Sequence, residues 1–295
     1  MSTVAVLGLG NMGGPMAANL AAAEGYSVRG FDISDAAREQ AKGAGVDVFE
    51  SATEAAQGAD AVITMLPNGG LVKQVIGEVL ETDDAPRLYI DSSTIAVAEA
   101  REVSELVEAR GSRFIDAPVS GGVAGSQAGT LAFMVGGTKE AFDEAHPILE
   151  VLGSSITHCG ACGNGQAVKA CNNMILAVQQ IVLSEALVLG ERLGLEHQAF
   201  YDVVSNATGN SWSLSVNTPV PDIVPTSPAN HDFTPGFSAA LMLKDLRLAM
   251  ASAEETGTET VLGKIAAGQY EDFVAEGNGG LDFSAIIGEV RAKGA

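Results

Sequence analysis

Lys169 and Asn173 stand four residues apart in a stretch whose apolar residues recur at every third or fourth position, so helical geometry puts both on one face. A lysine withdrawn from water at a domain interface loses part of its hold on a proton and can take one from a hydroxyl group. The Asn amide beside it can fix the same oxygen. The spacing therefore offers acid–base chemistry on an alcohol or a carbonyl, although a lysine snorkelling from a solvated helix face fits the same spacing. Ser120-Gly121-Gly122 follows Pro118 at the end of an apolar run. Two successive glycines there leave backbone N–H groups that can form a nest for a carboxylate, or simply a turn. Lys244 and Asp245, by spacing alone, read as an exposed ion pair.

A second constellation belongs to a phosphate-bearing ligand. Residues 3–7 form a short β-rich run ending in Gly8-Leu9-Gly10-Asn11-Met12-Gly13, after which Met12, Met16 and Leu20 fall on one helical face. Gly8 allows the tight turn, Gly10 a close backbone approach to a pyrophosphate, and Gly13 close helix-to-strand packing; the helix N-terminus adds partial positive charge. Asp32 ends the second apolar run, 19 positions after Gly13. Its carboxylate can accept from the adenosine ribose hydroxyls and would repel a 2′-phosphate, which favours NAD over NADP. Leu66-Pro67 and Ser93-Thr94 close two later runs, at the edge where open α/β sheets bind ligands.

The elements that must position these residues come in two patterns. Apolar runs at 3–7, 27–31, 59–66, 88–90, 113–115 and 131–135 alternate with helical stretches at 35–42, 97–110 and 139–149. Such alternation predicts parallel strands with crossover helices, a doubly wound α/β Rossmann sheet over residues 1–163. From 166 to 193 the pattern predicts one long helix, about 40 Å at the usual rise per residue, stopped by Gly194. Helical patterns continue at 198–205, 239–256, 261–276 and 283–293. Residues 164–295 thus read as an all-α domain joined to the first by the long helix. Five of the ten prolines lie between Asn217 and Pro235, which predicts an ordered, irregular loop.

Composition sets further bounds. The chain has 295 residues, 46% hydrophobic and 18% charged, with a formal charge of -21. It is a folded globular chain whose acidic surface repels nucleic acid and anionic membranes; the excess acid serves solubility or reflects a saline host. No uninterrupted apolar run reaches the ~18 residues of a membrane span, and no basic leader precedes the first strand. Cys159, Cys162 and Cys171 are too few and too clustered for a disulfide framework, so a reducing cytoplasmic setting is expected. His158-Cys159 with Cys162 lacks the second ligand pair that zinc needs, and no metal site is expected.

Four blocks of this sequence resemble the β-hydroxyacid dehydrogenases: residues 6–20 around the glycine turn, Asp116 to Gly122, Gly165 to Asn173, and Leu243-Lys244-Asp245-Leu246. The resemblance implies a Rossmann domain followed by a helical domain, NAD(P)-linked oxidation of a short 3-hydroxy acid, with NAD the cofactor that Asp32 favours, and a homodimer or homotetramer built on the helical domain. It implies Lys169 as general acid/base, and Ser120, Gly121, Gly122 and Asn173 on a small 3-hydroxy acid substrate, with Trp212 and Phe237 as apolar walls. Gly8, Leu9, Gly10, Asn11, Met12, Gly13, Asp32, Leu66, Pro67, Leu71, Thr94 and Lys244 would hold the cofactor. Within the family, Met65 to Asn68, Cys171 to Met174, Trp212-Ser213 and Pro219-Val220-Pro221 look most like the branch that oxidises 3-hydroxyisobutyrate to methylmalonate semialdehyde in valine breakdown, with hydride passing to nicotinamide C4. A neighbouring branch acting on tartronate semialdehyde, and a non-catalytic NAD-binding scaffold, are the alternatives. Cys171-Asn172 stands where the phosphogluconate branch carries His-Asn, which argues against a phosphosugar.

Overall fold

The computed structural model describes residues 1–82 and 85–293. The chain divides into two compact units, Met1–Lys169 and Ala170–Ala295. In the first, strands β1 (Ser2–Leu7), β2 (Tyr26–Phe31), β3 (Asp47–Val48), β4 (Ala61–Thr64), β5 (Leu88–Asp91) and β6 (Arg113–Asp116) lie parallel in the order β3-β2-β1-β4-β5-β6. The helices between them are α1 (Gly13–Ala22), α2 (Asp35–Gly43), α3 (Ala52–Ala56), α4 (Gly69–Thr82) and α5 (Val97–Glu108). Every residue of β4 and β5 is buried, as expected of strands covered on both faces. In β1, Val4 and Val6 join Met16, Ala17 and Leu20 of α1 in one core, while Ala5 and Leu7 join α3, α4 and α5 in another. The alternation of side chains along a strand thus puts a hydrophobic core on each face of the sheet.

The expected Rossmann sheet is present, with one local difference. After β6 the chain forms β7 (Val119–Ser120), the short helix α6 (Gly122–Ala128), β8 (Leu131–Gly137), α7 (Lys139–Leu152) and β9 (Gly153–Gly160). The run at 131–135, read as one more parallel strand, runs antiparallel to β6 and β7, and β9 pairs parallel with β8. A parallel return to β6 needs a crossover spanning the whole strand. The seven residues of α6 rise only about 10 Å.

Helix α8 (Asn164–Arg192) bears out the single long helix. Leu195 N–H donates to Gly190 O and Gly194 N–H to Glu191 O, with Gly194 at φ +80°; this left-handed turn ends the helix. The second unit continues with α9 (His197–Val204), α10 (Trp212–Ser215), α11 (Ala239–Glu255), α12 (Val261–Ala275), short 3-10 turns and α13 (Ile287–Ala292). Its cores gather Ala177, Ile181, Met242, Leu246, Tyr270 and Phe283, and separately Leu183, Leu187, Leu214 and Val220. The proline-rich stretch is irregular but tied, for example through Ser227 Oγ donating to Thr218 O at 2.6 Å.

Among the described residues one helix, α8, is long and apolar enough to cross a membrane by length and composition, although no unbroken apolar run in it reaches that length. Within the second unit, however, its Ala177, Ile181, Leu183, Leu187 and Val188 are core residues. A core helix packed on one face has the same composition, and interruptions such as Gln180 and Ser184 hid it from a search for uninterrupted runs.

Candidate active site

The sheet order reverses direction between β1 and β4, where open α/β sheets leave a crevice at their carboxyl edge. The glycine turn sits there. Gly8 has φ +99°, and a Cβ on it would lie 2.3 Å from Met65 O, the residue after β4. A Cβ on Gly13 would lie 1.9 Å from Gly8 O, so this glycine is required for the strand and the helix to approach. Gly10 is different: among the described residues, its chain neighbours aside, nothing lies within 4 Å of its missing Cβ, so a ligand has room to approach the backbone there. α1 starts at Gly13 without a side-chain cap on Met12 and without an acidic residue in its first turn; Gly14 N–H donates to Gly10 O at 2.9 Å and Pro15 has no N–H, so the helix start offers an anion its dipole and the N–H groups ahead of Gly14.

Asp32 is half-buried just past β2. Its Oδ2 accepts from Leu9 N–H at 2.7 Å and its Oδ1 from Ser34 N–H at 2.8 Å. It therefore braces the glycine turn, and each carboxylate oxygen retains a lone pair for another donor. Leu66 N–H donates to Ser93 Oγ at 2.9 Å, and Leu71 N–H to Asn68 Oδ1 at 3.0 Å; Pro67 is exposed between them. These residues fit a dinucleotide: an open glycine turn, an uncapped helix start and an acid at the second strand's end.

Lys169 is buried, 7% exposed, and its Nζ donates to Val119 O at 2.9 Å. The snorkelling alternative is excluded. Val119 immediately precedes Ser120, and Gly121 and Gly122 follow with φ of +131° and +60°, conformations in which a side chain is strained. The lysine head and the Ser120-Gly121-Gly122 segment are thus brought together within the first unit.

In the second unit Asn173 is 2% exposed; its Nδ2 donates to Asp245 Oδ2 at 2.5 Å and its Oδ1 accepts from Asn172 Nδ2 at 2.9 Å. Lys244 Nζ lies 3.4 Å from Asp245 Oδ1. The exposed-pair reading of Lys244 and Asp245 fails for the acid, which is 3% exposed. Trp212 is 52% exposed at the start of α10. Phe237 is half-buried with its ring edge-on to Phe283 at 5.9 Å. Nothing brings these two aromatics against each other.

Sequence reasoning missed three buried polar residues. Gln166 donates through Nε2 to Ser93 O at 2.8 Å and accepts Ile95 N–H on Oε1 at 3.2 Å, so its amide holds the loop carrying Thr94. Asp245 anchors Asn173. Asp116, the last residue of β6, accepts N–H groups from the start of α8. Their only sequence signal is membership of the four blocks. The cysteines are all free thiols, and burial pushes Cys162 up to about 12. Among the described residues no cluster of His, Cys, Asp and Glu could hold a metal ion.

Comparison with known proteins agrees with this geometry. Residues 3–160 match the NAD binding domain of 6-phosphogluconate dehydrogenase, and residues 163–290 match the NAD-binding domain of NADP-dependent 3-hydroxyisobutyrate dehydrogenase. A probable 3-hydroxyisobutyrate dehydrogenase of Mycobacterium tuberculosis is 55% identical over 293 residues, 99% of each chain. The chain belongs to the 3-hydroxyisobutyrate dehydrogenase family. A solved structure of the M. tuberculosis 3-hydroxyisobutyrate dehydrogenase with L-serine is similar at a TM-score of 0.95 and 54% identity, covering 99% of both chains. Another relative, an NAD-dependent L-serine dehydrogenase of Pseudomonas aeruginosa, is 41% identical over 97% of each chain. As a member of the 3-hydroxyisobutyrate dehydrogenase family, the chain is an NAD-binding oxidoreductase acting on a small 3-hydroxy acid.

Proposed function

We propose that this enzyme oxidises 3-hydroxyisobutyrate to methylmalonate semialdehyde with NAD, the oxidation that belongs to valine breakdown. The observation that carries the mechanism is the buried Lys169 Nζ donating to the Val119 carbonyl, one residue from Ser120. When bound, the nicotinamide cofactor supplies the hydride acceptor. Lys169, as the neutral amine, takes the proton of the substrate hydroxyl during oxidation and becomes the ammonium, which in reverse polarises the aldehyde oxygen and returns the proton. Ser120, Gly121 and Gly122 hold the substrate carboxylate, Asn173 fixes the reacting oxygen, and Trp212 and Phe237 wall the methyl group. Gly8, Leu9, Gly10, Asn11, Met12, Gly13, Leu66, Pro67, Leu71, Thr94 and Lys244 hold the cofactor, and Asp32 selects NAD over NADP.

L-Serine is the second reading. It differs from 3-hydroxyisobutyrate by an ammonium in place of the C2 methyl, and the Pseudomonas aeruginosa relative is named for it. NADH formation measured with 3-hydroxyisobutyrate, L-serine, glycerate and 6-phosphogluconate, each with NAD and NADP, separates the readings. The highest kcat/KM is expected for 3-hydroxyisobutyrate with NAD; a higher value for serine or glycerate overturns the substrate. No turnover with NAD still bound makes the chain a scaffold.

The helical unit is the proposed homodimer or homotetramer surface. On α8, Ile175, Val182 and Leu189 are 53%, 53% and 60% exposed and spaced seven apart, which makes a seam suited to another helix. Light scattering on the purified protein reads the copy number. Three free thiols suit the cytoplasm.

A further inference from the structure

Helix α8 begins with its cap supplied from elsewhere in the chain. Gly163 precedes the helix and Gln166 is its third residue. Asp116 Oδ1 accepts Gly163 N–H at 2.7 Å, and Asp116 Oδ2 accepts Gln166 N–H at 2.9 Å. Those are the two N–H groups that a capping box satisfies with two local side chains. Here one carboxylate, fully buried at the end of β6, satisfies both and sets a negative charge on the helix axis.

The carboxylate has little room to move. A Cβ on Gly136 would lie 2.3 Å from Asp116 Oδ1, and one on Gly165 would lie 2.8 Å from Oδ2 and 2.2 Å from Met134 O. Asp91 is the register partner of Asp116 on β5 and raises no competing bond to the helix.

The consequence lies one turn further along. Lys169 follows Gln166 by three residues, and its Nζ returns to Val119 O, three residues beyond Asp116. The segment Asp116–Ser120 is therefore tied to α8 at two points, by a carboxylate at one end and a carbonyl at the other. Gln166, whose backbone Asp116 holds, also carries the amide that grips Ser93 and Ile95 around Thr94.

We propose that Asp116 is a positioning residue, which fixes the start of α8 so that the Lys169 ammonium meets a substrate held by Ser120, Gly121 and Gly122. The inference rests on the reading of Lys169 as the acid/base. Asn in place of Asp116 keeps the shape but offers one acceptor and turns an NH2 toward a backbone N–H, so the first turn must shift. A shift of about 1 Å at a reacting group costs on the order of 100-fold in rate.

The experiment is a double-mutant cycle of Asp116→Asn with Lys169→Ala, read by kcat, by NADH dissociation constant from fluorescence and by thermal unfolding. Asp116→Asn is expected to lower kcat by about 100-fold with NADH affinity within about threefold. In the Lys169→Ala background the same substitution is expected to cost almost nothing, because its effect passes through the lysine. Should Asp116→Asn not fold, Asp116→Ser, which removes the opposed NH2 and keeps an acceptor, carries the same expectation. A folded Asp116 variant with unchanged kcat, beside an inactive Lys169→Ala, overturns the proposal and leaves the mechanism standing. An equal loss in both backgrounds, or a parallel loss of NADH binding, also overturns it in favour of a merely structural role. A fully active Lys169→Ala removes the mechanism and the proposal with it.

Discussion

Lys169 Nζ and the Val119 carbonyl oxygen are 2.9 Å apart, and the bond buries the ammonium beside the Ser120-Gly121-Gly122 segment. In the proposed mechanism a proton exchanged at that atom serves the hydroxyl of the acid held by the segment. Lys169→Ala is expected to lower kcat by about 10³-fold, within the usual span for a lost acid–base group, while the NADH dissociation constant stays near wild type. Lys169→Arg is expected to be nearly as slow, since a guanidinium does not give up its proton in this range. Steady-state rates and fluorescence titration decide; a Lys169→Ala enzyme within tenfold of wild type refutes the assignment.

Asp32 spends one oxygen on Leu9 N–H and the other on Ser34 N–H, so it has a bracing role besides the cofactor choice proposed for it. Asp32→Ala is expected to weaken NAD and to raise the ratio of kcat/KM for NADP over NAD by about tenfold or more, since the charge that repels a 2′-phosphate is gone. An unchanged ratio, whatever happens to the absolute rates, rejects the selectivity role.

Much of this was legible in the residues themselves. Strand-like runs separated by helical patterns gave the sheet, and the glycine turn at Gly8 and Gly13 and the position of Asp32 at the end of β2 were legible too, because turn chemistry and a charge at a strand terminus are local properties. The antiparallel β8 and the edge strand β9 were not legible. β8 has the same apolar run as a parallel strand, and β9, with Ser154, Ser155 and Thr157 in its run, lacks an apolar one. The burial of Lys169 was invisible for another reason. A lysine on a helix is ordinary until a carbonyl 50 residues away in sequence is known to meet it. Asp116, Gln166 and Asp245 escaped likewise, since nothing in an isolated Asp or Gln says that its partner is a distant backbone N–H or amide.

Asn173 Nδ2 and Asp245 Oδ2 are 2.5 Å apart, both residues nearly fully buried. Removing the amide takes the donor from Oδ2 of the buried carboxylate and leaves it only the Lys244 Nζ, 3.4 Å from Oδ1, among the partners described. Asn173→Ala is expected to cost about 3 kcal/mol of stability, the upper range for a hydrogen bond to a charged group, and to raise KM for the hydroxy acid. Chemical unfolding and initial rates read the two effects. Wild-type stability in Asn173→Ala would mean that Asp245 finds another partner.

Gly10 and Gly13 separate packing from ligand approach. Alanine at 13 meets Gly8 O at 1.9 Å, whereas alanine at 10 meets nothing within 4 Å. Gly13→Ala is expected to lower the unfolding temperature sharply. Gly10→Ala is expected to unfold within a few degrees of wild type yet bind NADH at least about tenfold more weakly, the Cβ now standing where the pyrophosphate approaches. Equal NADH affinity in Gly10→Ala would move the cofactor off the turn.

Asp91 gives a pH signature of its own. It is fully buried at the end of β5, Thr64 Oγ1 donates to its Oδ1 at 2.8 Å and Ser93 N–H donates to the same oxygen at 3.1 Å, while among the described residues Oδ2 has no hydrogen-bond partner. Burial raises its pKa to about 6 from 3.8, against the lowering effect of those bonds. Between these two values the unfolded chain has released the proton and the folded chain still holds it. Unfolding then releases a proton, so stability falls as pH rises from about 4 to about 6 and levels off above, a loss of about 3 kcal/mol from this group. Below pH 4 both states are protonated and the group contributes no slope. Asp91→Asn keeps an acceptor for Thr64 and Ser93 and does not titrate, so its stability relative to wild type is expected to increase by that amount between pH 4 and pH 7. The other carboxylates are common to both proteins, so the difference between their urea midpoints reads Asp91 together with its repulsion of Asp116, the neighbouring buried carboxylate on β6. Parallel stability curves for the two would show that Asp91 is ionised throughout, with its charge met by a donor that the folded chain supplies.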